Sequence, residues 1–281
     1  MDRTWISTLF SLFFSSHFVT MALIAGICAS ISSGIIGSYV VVKRIVFISG
    51  SISHSVLGGL GLAIYLKRIF DWEWLSPLYG AFFAAILSAW LIGWIRLYYR
   101  QREDTVIGAL WAFGMSIGVI FISLTPGYNV ELTNYLFGNI LWVSLTDILI
   151  LLSLGALLIV ITFCFYRKFL AICFDEEHAE LQALPVKFLY FLLLSLVAVT
   201  VVLLIQTVGA ILVIAILSLP AAIANTFTKN LRSMMFFAAL LGIVVATLGI
   251  GFSTALNWPP GATMALTATS LYILNLMRKK I

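Results

Sequence analysis

The sequence predicts an all-α polytopic membrane protein, and three observations carry that prediction. Of 281 residues, 62% are hydrophobic and only 10% charged, against about 25% charged in an ordinary soluble domain. The apolar residues gather in runs of about 20, the length a helix needs to cross a hydrocarbon core. Lys and Arg sit at the ends of these runs rather than along one face, so the net charge of +5 reports membrane topology, not nucleic-acid binding. The longest stretch between runs, 167–187, is too short for a separate soluble domain.

The elements follow in order. Residues 5–14 are aromatic and read as an interfacial segment. Asp2 and Arg3, followed by apolar sequence without a small-residue cleavage site, make a poor signal peptide. Spanning helices are expected at 18–42, 45–66, 75–98, 105–124, 146–165, 188–205, 209–226, 234–256 and 262–277, about 8–9 in all. The run from Phe188 to Thr228 is too long for one helix; Lys187 and Lys229 bracket it, and Gln206-Thr207 offers a polar turn between two spans. Residues 132–142 suit an interfacial helix better than a crossing, with only about ten apolar-rich positions. Asp147 reads as an N-cap, with Thr146 as a second candidate. With the C-terminus cytoplasmic, only Arg3, Lys67 and Arg68 of the 16 Lys and Arg fall outside, the bias the positive-inside rule demands.

Small residues recur at helical spacing in two spans. Gly26, Ser30 and Gly34 line one face of the first, a face suited to close helix packing. In the second, Gly50, His54, Gly58 and Gly61 share a stripe with almost no side-chain bulk except one imidazole. An ionisable group at bilayer depth is costly, so His54 is the first functional candidate. The alternative is a packed His bonded to a neighbouring Ser or carbonyl. Cys28, Cys164 and Cys173 are scattered without CxxC spacing and read as small apolar core residues. Pro220 interrupts its span, and broken helices in transporters tend to line cavities; a static kink is the alternative.

The cytoplasmic segment 167–187 contains its own helix signals. Asp175 can N-cap, Glu176 and Glu177 favour a helix start, and Pro185 enforces an end. Ala179, Leu181 and Leu184 give that short helix an apolar side able to dock in a partner's groove; a solvated loop with one helical turn is the alternative. His178 lies in this acidic loop and reads as solvated.

Several strings occur in a telling order. They are Gly37-Ser38-Tyr39-Val40-Val41-Val42-Lys43-Arg44, Ser49-Gly50-Ser51-Ile52-Ser53-His54-Ser55-Val56-Leu57-Gly58-Gly59, and Glu103-Asp104-Thr105-Val106-Ile107-Gly108. Tyr135-Leu136-Phe137-Gly138-Asn139, Val208-Gly209-Ala210-Ile211-Leu212-Val213, Leu219-Pro220-Ala221-Ala222 and Pro259-Pro260-Gly261 follow. Each is weak alone, but from about Gly26 onward the ordered set resembles the metal-cation permeases of ABC importers, which take up zinc, manganese or iron. The resemblance implies a type II importer-like fold, like that of vitamin B12 and siderophore importers, over one permease domain, 1–281. It implies a multi-pass inner-membrane protein working with two ABC ATPase subunits, a second permease copy or paralogue, and an extracytoplasmic metal-binding protein. The chain has no GxxxxGK[ST] phosphate loop, so ATP and its magnesium belong to the partner and no cofactor is expected on this chain.

By the same resemblance, 167–187 is the coupling segment, with Asp175, Glu176, Ala179, Leu181, Ala183 and Leu184 as its ATPase-coupling residues. Gly50, Ser51, His54, Ser55, Gly58, Asn139 and Pro220 line the path, and His54 touches the metal transiently, helped by Ser51, Ser55 and backbone carbonyls. Three positions depart from the family pattern: Gly50, Asn139 and Asn257 stand where relatives often carry Asp. Weak coordination suits a conduit, since a tight site slows release, and imidazole leans to zinc over manganese. Two other classes are a membrane-embedded hydrolase using Ser51 and His54 as nucleophile and base, and a proton-driven secondary transporter. The first lacks an orienting group and G-x-S-x-G; the second lacks buried Asp/Glu relays.

Overall fold

A computed structural model describes residues 17–99, 103–126, 138, 140–210 and 212–279. The described residues fold into helices α1 His17–Val42, α2 Val46–Ile69, α3 Pro77–Tyr98, α4 Glu103–Leu124, α5 Leu145–Cys164, α6 Tyr166–Phe174, α7 Glu176–Leu181, α8 Val186–Val208, α9 Val213–Phe227, α10 Leu231–Leu256 and α11 Pro260–Lys279, with a 3₁₀ turn at Ile140–Trp142. Among them, 7 helices are long and apolar enough to cross a membrane. The other two expected spans are α9, with 15 residues, and α11, which runs from Pro260 to the basic end at Lys279. The interfacial segment expected at 5–14 lies outside the described residues, as does most of 132–142, of which Ile140–Trp142 forms the 3₁₀ turn.

Local chemistry sets the helix ends, and corrects three of the expected ones. Ser144, not Asp147, is the N-cap of α5; Asp147 sits three residues on and completes a capping box by accepting the Ser144 backbone N–H. The α8–α9 break falls at Gly209 rather than Gln206-Thr207, because glycine alone accommodates its φ of 91° without a Cβ penalty. The coupling helix α7 ends before Pro185. Ala183 turns left-handed (φ 56°), its N–H donates to Glu180 O and the Leu184 N–H to Ala179 O, a Schellman closure. The α1–α2 connection uses the same device: Arg44 is left-handed (φ 61°), its N–H donates to Val41 O and the Ile45 N–H to Val40 O.

Packing is organised around α2, the most buried span. Lipid-like surroundings give helices no hydrophobic reason to associate, so close backbone approach and interhelical hydrogen bonds must do it. A Cβ built on Gly59 of α2 would lie 2.1 Å from the carbonyl oxygen of Gly80 in α3, and one on Gly58 2.9 Å from that of Gly114 in α4. Gly61 repeats the contact one turn on, 2.8 Å from Gly118 O. On the far side α1 meets α10 through the expected small-residue face. Gly26 opposes Ala246, Ser30 opposes Gly242 and Gly34 opposes the Ala239 backbone. Of the three cysteines, only Cys173 is a core residue; Cys28 is half-buried and Cys164 exposed on the outer surface of α5.

The glycine crossings make a testable distinction. Gly59→Ala forces two backbones apart, and overpacking of this kind costs about 1–3 kcal/mol, so the purified protein in detergent should lose several degrees of thermal stability. Gly108→Ala, whose Cβ meets nothing within 4 Å among the described residues, should hold or raise the melting temperature. Equal melting temperatures for the two variants would contradict the crossing.

Candidate functional site

His54 lies just past the second turn of α2, about 12 Å along the axis from Val46 at about 1.5 Å per residue. It is 8% exposed. Its ring stacks on Trp111 of α4, with centroids 4.1 Å apart and planes at 15°. Its Nδ1 is buried without a hydrogen-bond partner among the described residues. This disfavours the reading of His54 as a packed residue satisfied by a Ser or carbonyl at that nitrogen. Buried polar atoms left unpaired are uncommon and call for a functional reason.

The serines around it hold helices together. Ser51 Oγ donates to Ile107 O (3.0 Å) and Ser55 Oγ to Leu110 O (3.2 Å), both on α4, while Ser53 Oγ donates to Ala210 O (3.0 Å) in the α8–α9 break. Ser51 therefore points its proton at a backbone carbonyl, and no hydrogen bond joins it to His54 among the described residues, so the nucleophile–base pair of a hydrolase is not assembled. Gly50 leaves a gap that Ile214 of α9 and the Trp111 ring fill, 2.6 and 3.5 Å from an ideal Cβ. The space beside the imidazole is thus closed by an apolar plug.

The interrupted helix brings distant strings together. Gly138 (φ 73°) sits against the end of α8, where a Cβ would lie 2.2 Å from the Val208 carbonyl carbon. Gly209, Ala210 and the Ser53 hydroxyl meet at the same break, one residue from His54. Freed backbone groups at membrane depth are tolerated where protein or a water-lined cavity satisfies them. Pro220 is buried farther along α9, beside Leu217 and Ala221, which pack on Gly37 of α1. Asn139 lies outside the described residues. Trp111 and Ile214 were not singled out in the sequence; both sit over Gly50, and Trp111 also stacks on His54.

At the basic end of the bundle, the segment after α5 folds as α6 and α7. Asp175 N-caps α7 by accepting the His178 N–H at 2.9 Å. Glu176 turns back into the protein and pairs with Lys43 at the end of α1 and with Arg96 Nη2 of α3 at 3.3 Å. The Lys43 ammonium also donates to Ile172 O. Of the apolar residues expected to dock in a partner, Ala179 is fully buried in the chain's own packing and Leu184 half-buried. Leu181 (85% exposed) and Phe174 (72%) are the large apolar side chains this segment presents outward, beside exposed Glu177, His178, Glu180 and Gln182. Phe174 escaped notice in the sequence because it precedes the cap rather than following it. Aromatic rings carry other cations of this end: Arg96 over Tyr190, Lys187 over Tyr98 and Arg232 over Tyr166.

A model of the ABC 3 transport family matches residues 15–279. The chain belongs to the ABC 3 transport family. It is 43% identical over 275 residues, 98% of its length and 93% of the relative's, to a "probable metal transport system membrane protein" of Chlamydia muridarum. It is 33% identical over 260 residues, 92% of its length and 87% of the relative's, to the manganese transport system membrane protein MntC of Halalkalibacterium halodurans. Among solved structures it resembles PsaBC from Streptococcus pneumoniae in complex with Fab, with a TM-score of 0.85 and 30% identity over 96% of this chain and 95% of that one. The fold is therefore that of an ABC permease. The chain is a multi-span transport component, as its ordered strings indicated, and not an enzyme.

One consequence of the coupling segment is chemical. Burial pushes the Cys173 thiol up to about 12; Glu176 nearby adds to this and Lys43 opposes it in part. At pH 8 its thiolate is then on the order of a thousandfold scarcer than that of a free cysteine. In a Cys28→Ala, Cys164→Ala background, maleimide at pH 8 should label Cys173 rapidly in sodium dodecyl sulfate and barely at all in the native permease. Fast native labelling at pH 8 would contradict the packing of α6 on α1.

Proposed function

We propose that this permease carries a divalent transition metal ion into the cytoplasm, passing His54, with energy from separate ABC ATPase subunits and delivery by an extracytoplasmic metal-binding protein. The observation that carries the reading is the buried imidazole with an unpaired Nδ1 beside an interrupted helix, in a chain of a transport family. An imidazole nitrogen suits zinc and iron, and backbone carbonyls of the break add the oxygen that manganese prefers. One nitrogen and a few carbonyls hold such an ion weakly, which suits passage rather than storage. Relatives named for manganese and for metal transport support this cargo class; manganese is accordingly favoured over the zinc that imidazole alone suggests.

The orientation follows the charges. Lys43, Arg96, Lys187 and Arg232 gather at the end that carries α6 and α7, and the positive-inside rule puts that end, with the C-terminus, in the cytoplasm. There Leu181 and Phe174 face the ATPase. Trp111 and Ile214 over His54 and Gly50 represent a closed path.

The test is uptake of manganese, zinc and iron, offered separately, by uptake-deficient cells carrying the permease, its ATPase and its binding protein. Uptake should require the ATPase, and His54→Ala should lower it about tenfold or more at unchanged protein level, the scale on which metal-site substitutions act. ATPase-dependent uptake untouched by His54→Ala would remove His54 from the path. No uptake of any of the three metals would overturn the cargo.

A further inference from the structure

We infer that Glu176 is the positioning residue through which the coupling segment drives α2. Together with Lys43 and Arg96 it forms a clamp that delivers displacement of α6–α7 to the helix bearing His54. The inference rests on the transport reading above and adds the route by which ATPase motion reaches the path.

The geometry has three parts. The first is a short, well-formed helix: α7 is closed at one end by the Asp175 cap and at the other by the left-handed turn at Ala183, and Ala179 between them is fully buried against the bundle. The second is the attachment. Glu176, at the first position of α7, accepts both the Lys43 ammonium and the Arg96 guanidinium, and Lys43 holds the Ile172 carbonyl of α6 as well. The Lys43 side chain is only 8% exposed. An exposed ion pair contributes little, but breaking a buried one leaves an uncompensated charge, so this contact persists while the helices around it move. The third is the output. Lys43 directly precedes Arg44, whose left-handed turn starts α2 within three residues, and Arg96 ends α3, which grips α2 through Gly80 on Gly59. The clamp therefore holds α2 through the turn that begins it and through the helix packed along it. Beside this charged route, α6 and α7 touch the bundle through Phe169 on Tyr39, Tyr166 under Arg232 and apolar packing on α8.

The experiment separates coupling from stability. Permease, ATPase and binding protein are reconstituted in vesicles, and manganese(II) transported per ATP hydrolysed is measured for wild type, Glu176→Gln, Lys43→Met and the double variant. Glu176→Gln strands the buried Lys43 charge and should lower thermal stability, whereas Lys43→Met leaves Glu176 partly exposed and still paired with Arg96 and should lower it less. The double variant carries neither charge, so its melting temperature should return toward wild type. Its manganese-to-ATP ratio should nevertheless stay about tenfold below wild type, within the usual range of coupling between sites, and no lower than that of the worse single variant. A double variant with both wild-type stability and a wild-type ratio would overturn the inference and leave the pair as charge balance alone. So would single variants whose ratio is unchanged. If the wild-type complex itself moves no manganese with ATP, the transport reading fails first and the clamp falls with it, an outcome distinct from loss of ratio in the variants alone.

Discussion

Everything in this bundle depends on how closely α2 is gripped. Gly58 and Gly61 let α4 approach until carbonyl oxygens nearly touch α-carbons, and Gly59 does the same for α3. In hydrocarbon, where no water drives helices together, that approach and the serine hydroxyls donating across it are the main sources of association. The result is a polar helix, with Ser49, Ser51, Ser53, His54 and Ser55 buried, held inside a shell of apolar ones. A helix of this composition facing lipid would be unstable. Enclosed, each of its five buried serine and histidine groups except the His54 Nδ1 has a hydrogen-bond partner or a stacked ring to satisfy it.

That exception sits where three elements of irregular backbone converge. Gly138, the Gly209-Ala210 break and Ser53 meet one residue from the imidazole, while Ile214 and Trp111 fill the space beside Gly50. Glycine and the apolar plug belong together: with glycine at position 50 there is room for Ile214, and with Ile214 there is no room for a larger side chain. At the basic end the logic is reversed. Charge is abundant, and Glu176 is spent internally on Lys43 and Arg96 rather than on a partner. The outward face combines Leu181 and Phe174 with exposed Glu177, His178 and Glu180, while the inward face adds buried Phe169, Ile172 and Ala179 to the ion pairs.

Much of this was legible in the sequence. Run length and charge placement marked the spans, the Gly26-Ser30-Gly34 face did pack on a neighbour, and Asp175 does cap α7. The ordered strings pointed to the family before any geometry was seen. What was not legible depended on which helices meet. Gly114 and Gly118 in α4 lie one helical turn apart, as the Gly58 and Gly61 they face do, and α2 and α4 run the same way, so one turn back from the Gly58–Gly114 contact lie His54 and Trp111. Nothing in a single chain says that α4 is the neighbour, and Trp111 was missed for that reason. The break at Gly209 was misplaced because polarity at Gln206-Thr207 was weighed above backbone freedom; the Thr207 hydroxyl instead donates to Leu204 O and remains inside the helix. Asp147 was read as a cap because caps and third positions favour the same residue types.

The central claim is that the metal passes the face of α2 now covered by Trp111 and Ile214. It is tested most directly by a cysteine at that point. His54→Cys in a permease whose three native cysteines are replaced by Ala, assembled with its ATPase and binding protein, is exposed to a membrane-impermeant thiol reagent with and without ATP turnover. The account predicts modification that depends on turnover and slows in the presence of manganese(II). A cysteine at position 54 that never reacts in any state, or one that reacts at a rate indifferent to the metal, would contradict it.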